Sequence, residues 1–104
     1  MDWKELKTEF EKNDRIILYF YSKYCRPCTV VSPTIEKYEK QYESIKVIKI
    51  NTEDPDNKTI IDAFNITGIP KLYLIYKSSI KKVLSGYKPN PHYKSAFEWL
   101  LKKN

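Results

Sequence analysis

The chain has 104 residues, 41% of them apolar and 14% aromatic, and a formal charge of +6. This length and apolar content suit one folded domain over residues 1–104 and exclude a disordered chain. Its longest apolar run is far too short for a bilayer, its two cysteines are too few for a disulfide-rich secreted scaffold, and its charged start, Met1-Asp2-Trp3-Lys4-Glu5, does not read as a secretory leader. A cytoplasmic, reducing location without membrane association is therefore expected, and the chain is expected to act as a monomer. The positive charge comes almost wholly from lysine. The lysines are scattered and often adjoin Glu or Asp, and no RNA-binding signature accompanies them, so nucleic acid is not expected as a partner.

In chain order, Asp2 is placed to cap a first helix, with Trp3, Leu6 and Phe10 at helical spacing; Asn13-Asp14 ends it. Arg15 to Tyr21 reads as a strand apolar on both faces, hence central. Residues 26 to 42 read as a helix with Val31, Ile35, Tyr38 and Tyr42 facing inward and Pro33 interrupting it. Ile45 to Ile50 is a second strand, and the helix between the two makes them parallel. Asp54-Pro55-Asp56 starts a short helix with Ile60, Ile61 and Phe64 inward, closed by Asn65-Ile66-Thr67-Gly68. Ile69-Pro70 leads into the strand Lys71 to Tyr76. Lys77-Ser78-Ser79 turns the chain, and Ile80 to Ser85 pairs back as a hairpin. After a loop from Gly86, Asn90 is expected to cap a last helix that buries Tyr93, Phe97, Leu100 and Leu101. Trp3, Phe10, Phe20, Phe64, Phe97 and Trp99 are core by default.

The order α-β-α-β-α-β-β-α predicts an α/β fold, a mixed sheet of about four strands with helices on both faces. The site belongs at the carboxyl end of the first strand. There stands Tyr24-Cys25-Arg26-Pro27-Cys28, which holds both cysteines in a Cys-x-x-Cys spacing at the start of a helix. A helix N-terminus presents free N–H groups and a partial positive charge, which favour a thiolate at Cys25. Cys28 lies one turn on, within reach of Cys25, and Pro27 suits the first turn, where its missing N–H costs nothing. The alternative is a zinc half-site. A closed zinc site needs about four ligands, and the chain offers only His92 besides the two cysteines, so no metal is expected. Pro70 can be read as an ordinary strand-opening proline, and Lys49 as a lysine at a sheet edge.

In this arrangement the chain resembles the thioredoxin family over most of its length. The resemblance rests on Cys25-Arg26-Pro27-Cys28, on Pro33 five residues later, and on Gly68-Ile69-Pro70 before a strand; Lys49 and Gly86 also fall where thioredoxins carry Lys and Gly. It implies a thioredoxin-like fold and a protein disulfide oxidoreductase with no cofactor beyond its own Cys25–Cys28 disulfide. Cys25 would be the nucleophile and Cys28 the resolving thiol. Pro70 would be cis, and Ile69, Pro70, Gly86 and Tyr24 would line a shallow groove for the substrate chain. The implied partners are protein disulfides and a reductant, either like thioredoxin reductase or linked to glutathione.

Four departures from the family pattern carry expectations. Tyr24 stands for the usual Trp and still walls the site. Arg26 stands for Gly and places a cation beside the nucleophile, so the couple should be more oxidising than the roughly −270 mV of thioredoxin. Tyr19 stands for the family's buried Asp and is a poor base at neutral pH, which leaves Cys28 to lose its proton through water or near Lys49. The chain begins at the first helix, so an edge strand seen in the family is not expected. A glutaredoxin-like reductase and a binding module making little use of the cysteines are the competing functions.

Overall fold

The computed structural model describes residues 1–104. Its elements are α1 (Trp3–Lys12), β1 (Arg15–Tyr21), α2 (Arg26–Gln41), β2 (Lys46–Asn51), a 3-10 turn (Pro55–Asn57), α3 (Lys58–Ala63), β3 (Lys71–Tyr76), β4 (Ser79–Ser85) and α4 (Asn90–Leu101). The sheet order is β2-β1-β3-β4. β1 pairs parallel with β2 and antiparallel with β3, and β3 pairs antiparallel with β4.

The sheet divides the interior into two cores, and the period of two along each strand decides which residue joins which. On one face Ile17 and Tyr19 of β1, Val47 of β2 and Leu72 and Leu74 of β3 meet Val31, Ile35 and Tyr38 of α2 and Tyr93, Phe97 and Leu100 of α4. On the other, Ile16, Leu18, Phe20, Ile48, Ile50, Tyr73 and Ile75 meet Leu6 of α1 and Ile60 of α3. β1 is buried at every position but its two ends because it is interior to the sheet and covered twice. The edge strands behave otherwise. β4 is exposed along almost its whole length, and Lys81 and Lys82 on it discourage pairing with another chain.

Helix ends follow local chemistry. Asp2 and Glu5 form a capping box: the Glu5 N–H donates to Asp2 Oδ1 at 2.8 Å and the Asp2 N–H to Glu5 Oε1 at 3.2 Å. Asn65 closes the α3 region in the left-handed conformation, at φ 50°. Pro33 sits inside α2 on its exposed side, where its ring points away from the packed face.

Three expectations need correcting. Asn90 does not cap α4; Pro89 is the N-cap, and the Asn90 side chain instead accepts the Tyr38 hydroxyl, tying α4 to α2. Trp3 is not core. It is 46% exposed and lies tilted against Phe64, because α1 needs only Leu6 to fill its side of the sheet. Leu101 is likewise exposed, at the last residue of α4.

Candidate active site

β1 ends at Tyr21, and Ser22 follows it into the loop that carries the cysteines. Ser22 is buried and organises that loop. Its carbonyl accepts the Cys25 N–H at 3.3 Å, its Oγ accepts the Tyr24 N–H at 3.1 Å, and its hydroxyl donates to Glu53 Oε1 at 3.4 Å. Cys25 is the N-cap of α2, and its Sγ accepts the Cys28 N–H at 3.2 Å. The sulfur therefore occupies the place an Asp or Ser oxygen takes in an ordinary cap, where a negative charge is favoured. Cys25 and Cys28 are joined in a disulfide with their Cα atoms 5.2 Å apart, well within the span such a bond requires. The two sulfurs are not equivalent: Cys25 is half-buried, whereas Cys28 is 1% exposed. Arg26, Pro27 and Tyr24 are exposed around Cys25, with Tyr24 at 86%.

Beneath the pair lies Tyr19, 1% exposed on β1. Its hydroxyl shares a hydrogen bond with Ser32 Oγ at 2.7 Å and donates to the Cys28 carbonyl at 3.5 Å. Burial raises its pKa above the ordinary phenol value, so it is neutral at pH 7. Lys49 pairs with Tyr19 across β1 and β2, which puts both on the α2 face. Its ammonium is held by Glu36 and Glu39 of α2 at 3.3 and 3.4 Å.

The loop before β3 reaches the same end of the sheet. β3 runs antiparallel to β1, with Lys71 opposite Phe20, so Pro70 flanks the end of β1 that leads to Cys25. The Ile69–Pro70 bond is cis. Gly86 adopts φ 77°, which suits glycine, and its N–H donates to the Pro70 carbonyl at 2.8 Å. Ile69 borders a hollow of about 180 Å³ lined also by Thr52, Ile61, Ile66 and Gly68. No cluster of three or more His, Cys, Asp or Glu side chains is arranged for a metal ion. No helix is long and apolar enough to cross a membrane.

Two residues of the site carry no motif of their own. Ser22 is marked in sequence only as the first polar residue after an apolar strand, and Ser32 only by lying one helical turn past Cys28.

The sequence model of the thioredoxin family matches residues 2–98. A thioredoxin from Porphyra purpurea is 45% identical over 74 residues, covering 69% of this chain and 66%, just under two thirds, of that protein. A thioredoxin from Borreliella burgdorferi is 32% identical over 103 residues, 97% of this chain and 83% of its own. Among solved structures, thioredoxin O1 from Arabidopsis thaliana in its oxidized state superposes with a TM-score of 0.84 at 25% identity, covering 97% of this chain and 94% of that one. With the family model matched over nearly the whole chain, and the Borreliella burgdorferi relative covered to more than two thirds, this chain belongs to the thioredoxin family.

Proposed function

We propose that this chain is a thiol–disulfide oxidoreductase that reduces disulfides of other proteins. The observation that carries this is the inequality of the two sulfurs: one half-exposed at a helix N-cap, its partner buried one turn later. In the dithiol form Cys25, as thiolate, attacks one sulfur of a substrate disulfide. A mixed disulfide forms and one substrate thiolate leaves. Cys28, deprotonated, then attacks Cys25 Sγ; the Cys25–Cys28 bond closes and the second substrate thiolate leaves. Two electrons pass from the dithiol to the substrate, and both departing thiolates take up protons from water.

Arg26 and the α2 N-terminus favour the Cys25 thiolate. Ile69, beside cis Pro70, offers its backbone to an extended substrate strand, and Tyr24 and Gly86 border that groove. Such a groove reads backbone and shape, so several protein substrates suit it. The reading takes the chain as one monomeric unit, needing no cofactor beyond its disulfide, in a reducing compartment. A reductase of the thioredoxin-reductase kind returns the electrons in preference to glutathione, because Gly68-Ile69-Pro70 and the overall likeness are to thioredoxins.

Insulin reduction, coupled in parallel to thioredoxin reductase with NADPH and to glutathione, tests this. Turnover in the first arm and its loss in Cys25→Ser are expected. Turnover in neither arm, with partner binding retained in Cys25→Ser, would leave a binding module instead.

A further inference from the structure

The charge of the chain is unevenly placed. Residues 1–76 hold 12 basic and 12 acidic side chains and sum to zero; residues 77–104 hold 7 lysines against Glu98 alone, so the whole +6 lies between the β3–β4 turn and the C-terminus, the stretch that contains β4 and α4. These elements border a groove of about 340 Å³ on the α4 side of the exposed edge strand. Leu74, Leu84 and Ala96 form its floor and the Trp99 indole one wall, with Lys82 and Lys88 beside them. Neither lysine has a carboxylate partner, since the ion pairs of the chain involve only Lys49 and Lys58. The Lys82 ammonium lies 4.5 Å from the centroid of the Trp99 ring and that of Lys103 5.0 Å, so the indole is flanked by two cations that no anion neutralises.

An open apolar floor rimmed by unpaired ammonium groups complements an apolar side chain with carboxylates around it. A short stretch of chain links the groove to the cis-proline loop. Gly86 donates to the Pro70 carbonyl at 2.8 Å, and Lys88, two residues on, sits at the groove with its N–H donating to the Tyr93 hydroxyl at 3.2 Å.

We infer that this groove is a docking site for an acidic segment of a partner protein. One apolar side chain of that segment rests on Leu74, Leu84 and Trp99, and its neighbouring carboxylates pair with Lys82 and Lys88. A second copy of the chain is disfavoured, because it brings the same positive surface. A nucleic acid would pair with the lysines and leave the apolar floor unfilled. The inference goes beyond the redox reading and does not depend on it, since the groove shares no residue with the cysteine or cis-proline loops.

The test is an NMR titration of the oxidised chain, in which the disulfide takes no part, so failure of docking and failure of the redox reading are distinguishable. The probe is the cysteine-free peptide acetyl-Glu-Asp-Glu-Leu-Phe-Glu-Asp-Glu-amide. Saturable shifts are expected at the Trp99 indole N–H and at the Leu84 and Ala96 amides, and not at the Trp3 indole. Replacing Leu and Phe of the peptide by Gly is expected to weaken binding at least about tenfold. Lys82→Gln with Lys88→Gln is expected to weaken it similarly; the peptide arm needs no variant and stands even if that protein folds poorly. Equal binding of the Gly peptide, shifts centred on Tyr24 and Ile69, or no saturation would each overturn the inference. So would tighter binding of a short oligothymidylate at the same resonances.

Discussion

Tyr19 of β1 and Ser32 of α2 meet hydroxyl to hydroxyl at 2.7 Å, directly beneath the Cys28 carbonyl. The contact joins the central strand to the helix that carries the cysteines, and it fills with two neutral groups the place where an acid would serve as a base. Its consequences can be measured.

Tyr19→Asp introduces a base beneath Cys28. Decay of a mixed disulfide preformed at Cys25, followed by rapid mixing at pH 7, is expected to accelerate about tenfold or more. The same change empties the space of a buried ring and buries a polar group, so a loss of roughly 3 kcal/mol or more in urea unfolding should accompany it. An unaltered decay rate would show that loss of the Cys28 proton does not depend on this position.

Arg26 is exposed at the first position of α2, and its charge reaches Cys25 through a solvated path. Removing it as Arg26→Ala should move the Cys25 titration upward and slow iodoacetamide alkylation near pH 6 by about two- to fivefold, the range of a single surface charge at a helix end. The couple should become more reducing. Identical alkylation profiles in the two proteins would assign thiolate stability to the helix terminus alone.

The β3–β4 hairpin turns through Lys77 and Ser78, both in the left-handed region at φ 48° and φ 65°. This is the two-residue turn that Asn-Gly serves best, and here neither residue is glycine. Ser78→Gly removes the steric cost and adds some unfolded-state entropy, for a net gain of about 0.5–1 kcal/mol in thermal or urea unfolding. A loss of stability would mean that the Ser78 side chain has a favourable role in the turn.

Alkaline pH should destabilise the fold. Burial raises the pKa of Tyr19 and of Tyr93. For Lys49 burial acts downward, but the Glu36 hydrogen bond and the Glu39 charge outweigh it, and its pKa is also raised. All three groups thus hold their protons to higher pH when folded than when unfolded. Their contribution is complete below the unfolded values, near pH 10, and is lost as pH rises through the folded ones. Urea midpoints are expected to fall from about pH 9 to pH 11, less steeply in Tyr19→Phe. An equal slope in that variant would assign the loss to other groups.

Much of this was written in the chain itself. The short unbroken apolar runs of Arg15–Tyr21 and Lys71–Tyr76, the helical spacing of Val31, Ile35 and Tyr38, and the hairpin turn are local, and each follows from steric and hydrophobic preferences acting over a few residues. Cys25 and Cys28 were legible for the same reason, since a spacing of three on a helix fixes their proximity. Tertiary packing alone decided what distant segments do to one another. Asn90 lost its capping role because a tyrosine on α2 claimed its side chain, and Trp3 stayed at the surface because Leu6 already filled the space. Ser22 and Ser32 acquired their roles from neighbours that no local pattern specifies. The charge sum is in the sequence, but its concentration beside an apolar groove exists only because β4 and α4 are brought side by side, with long-range contacts choosing the partners of each face.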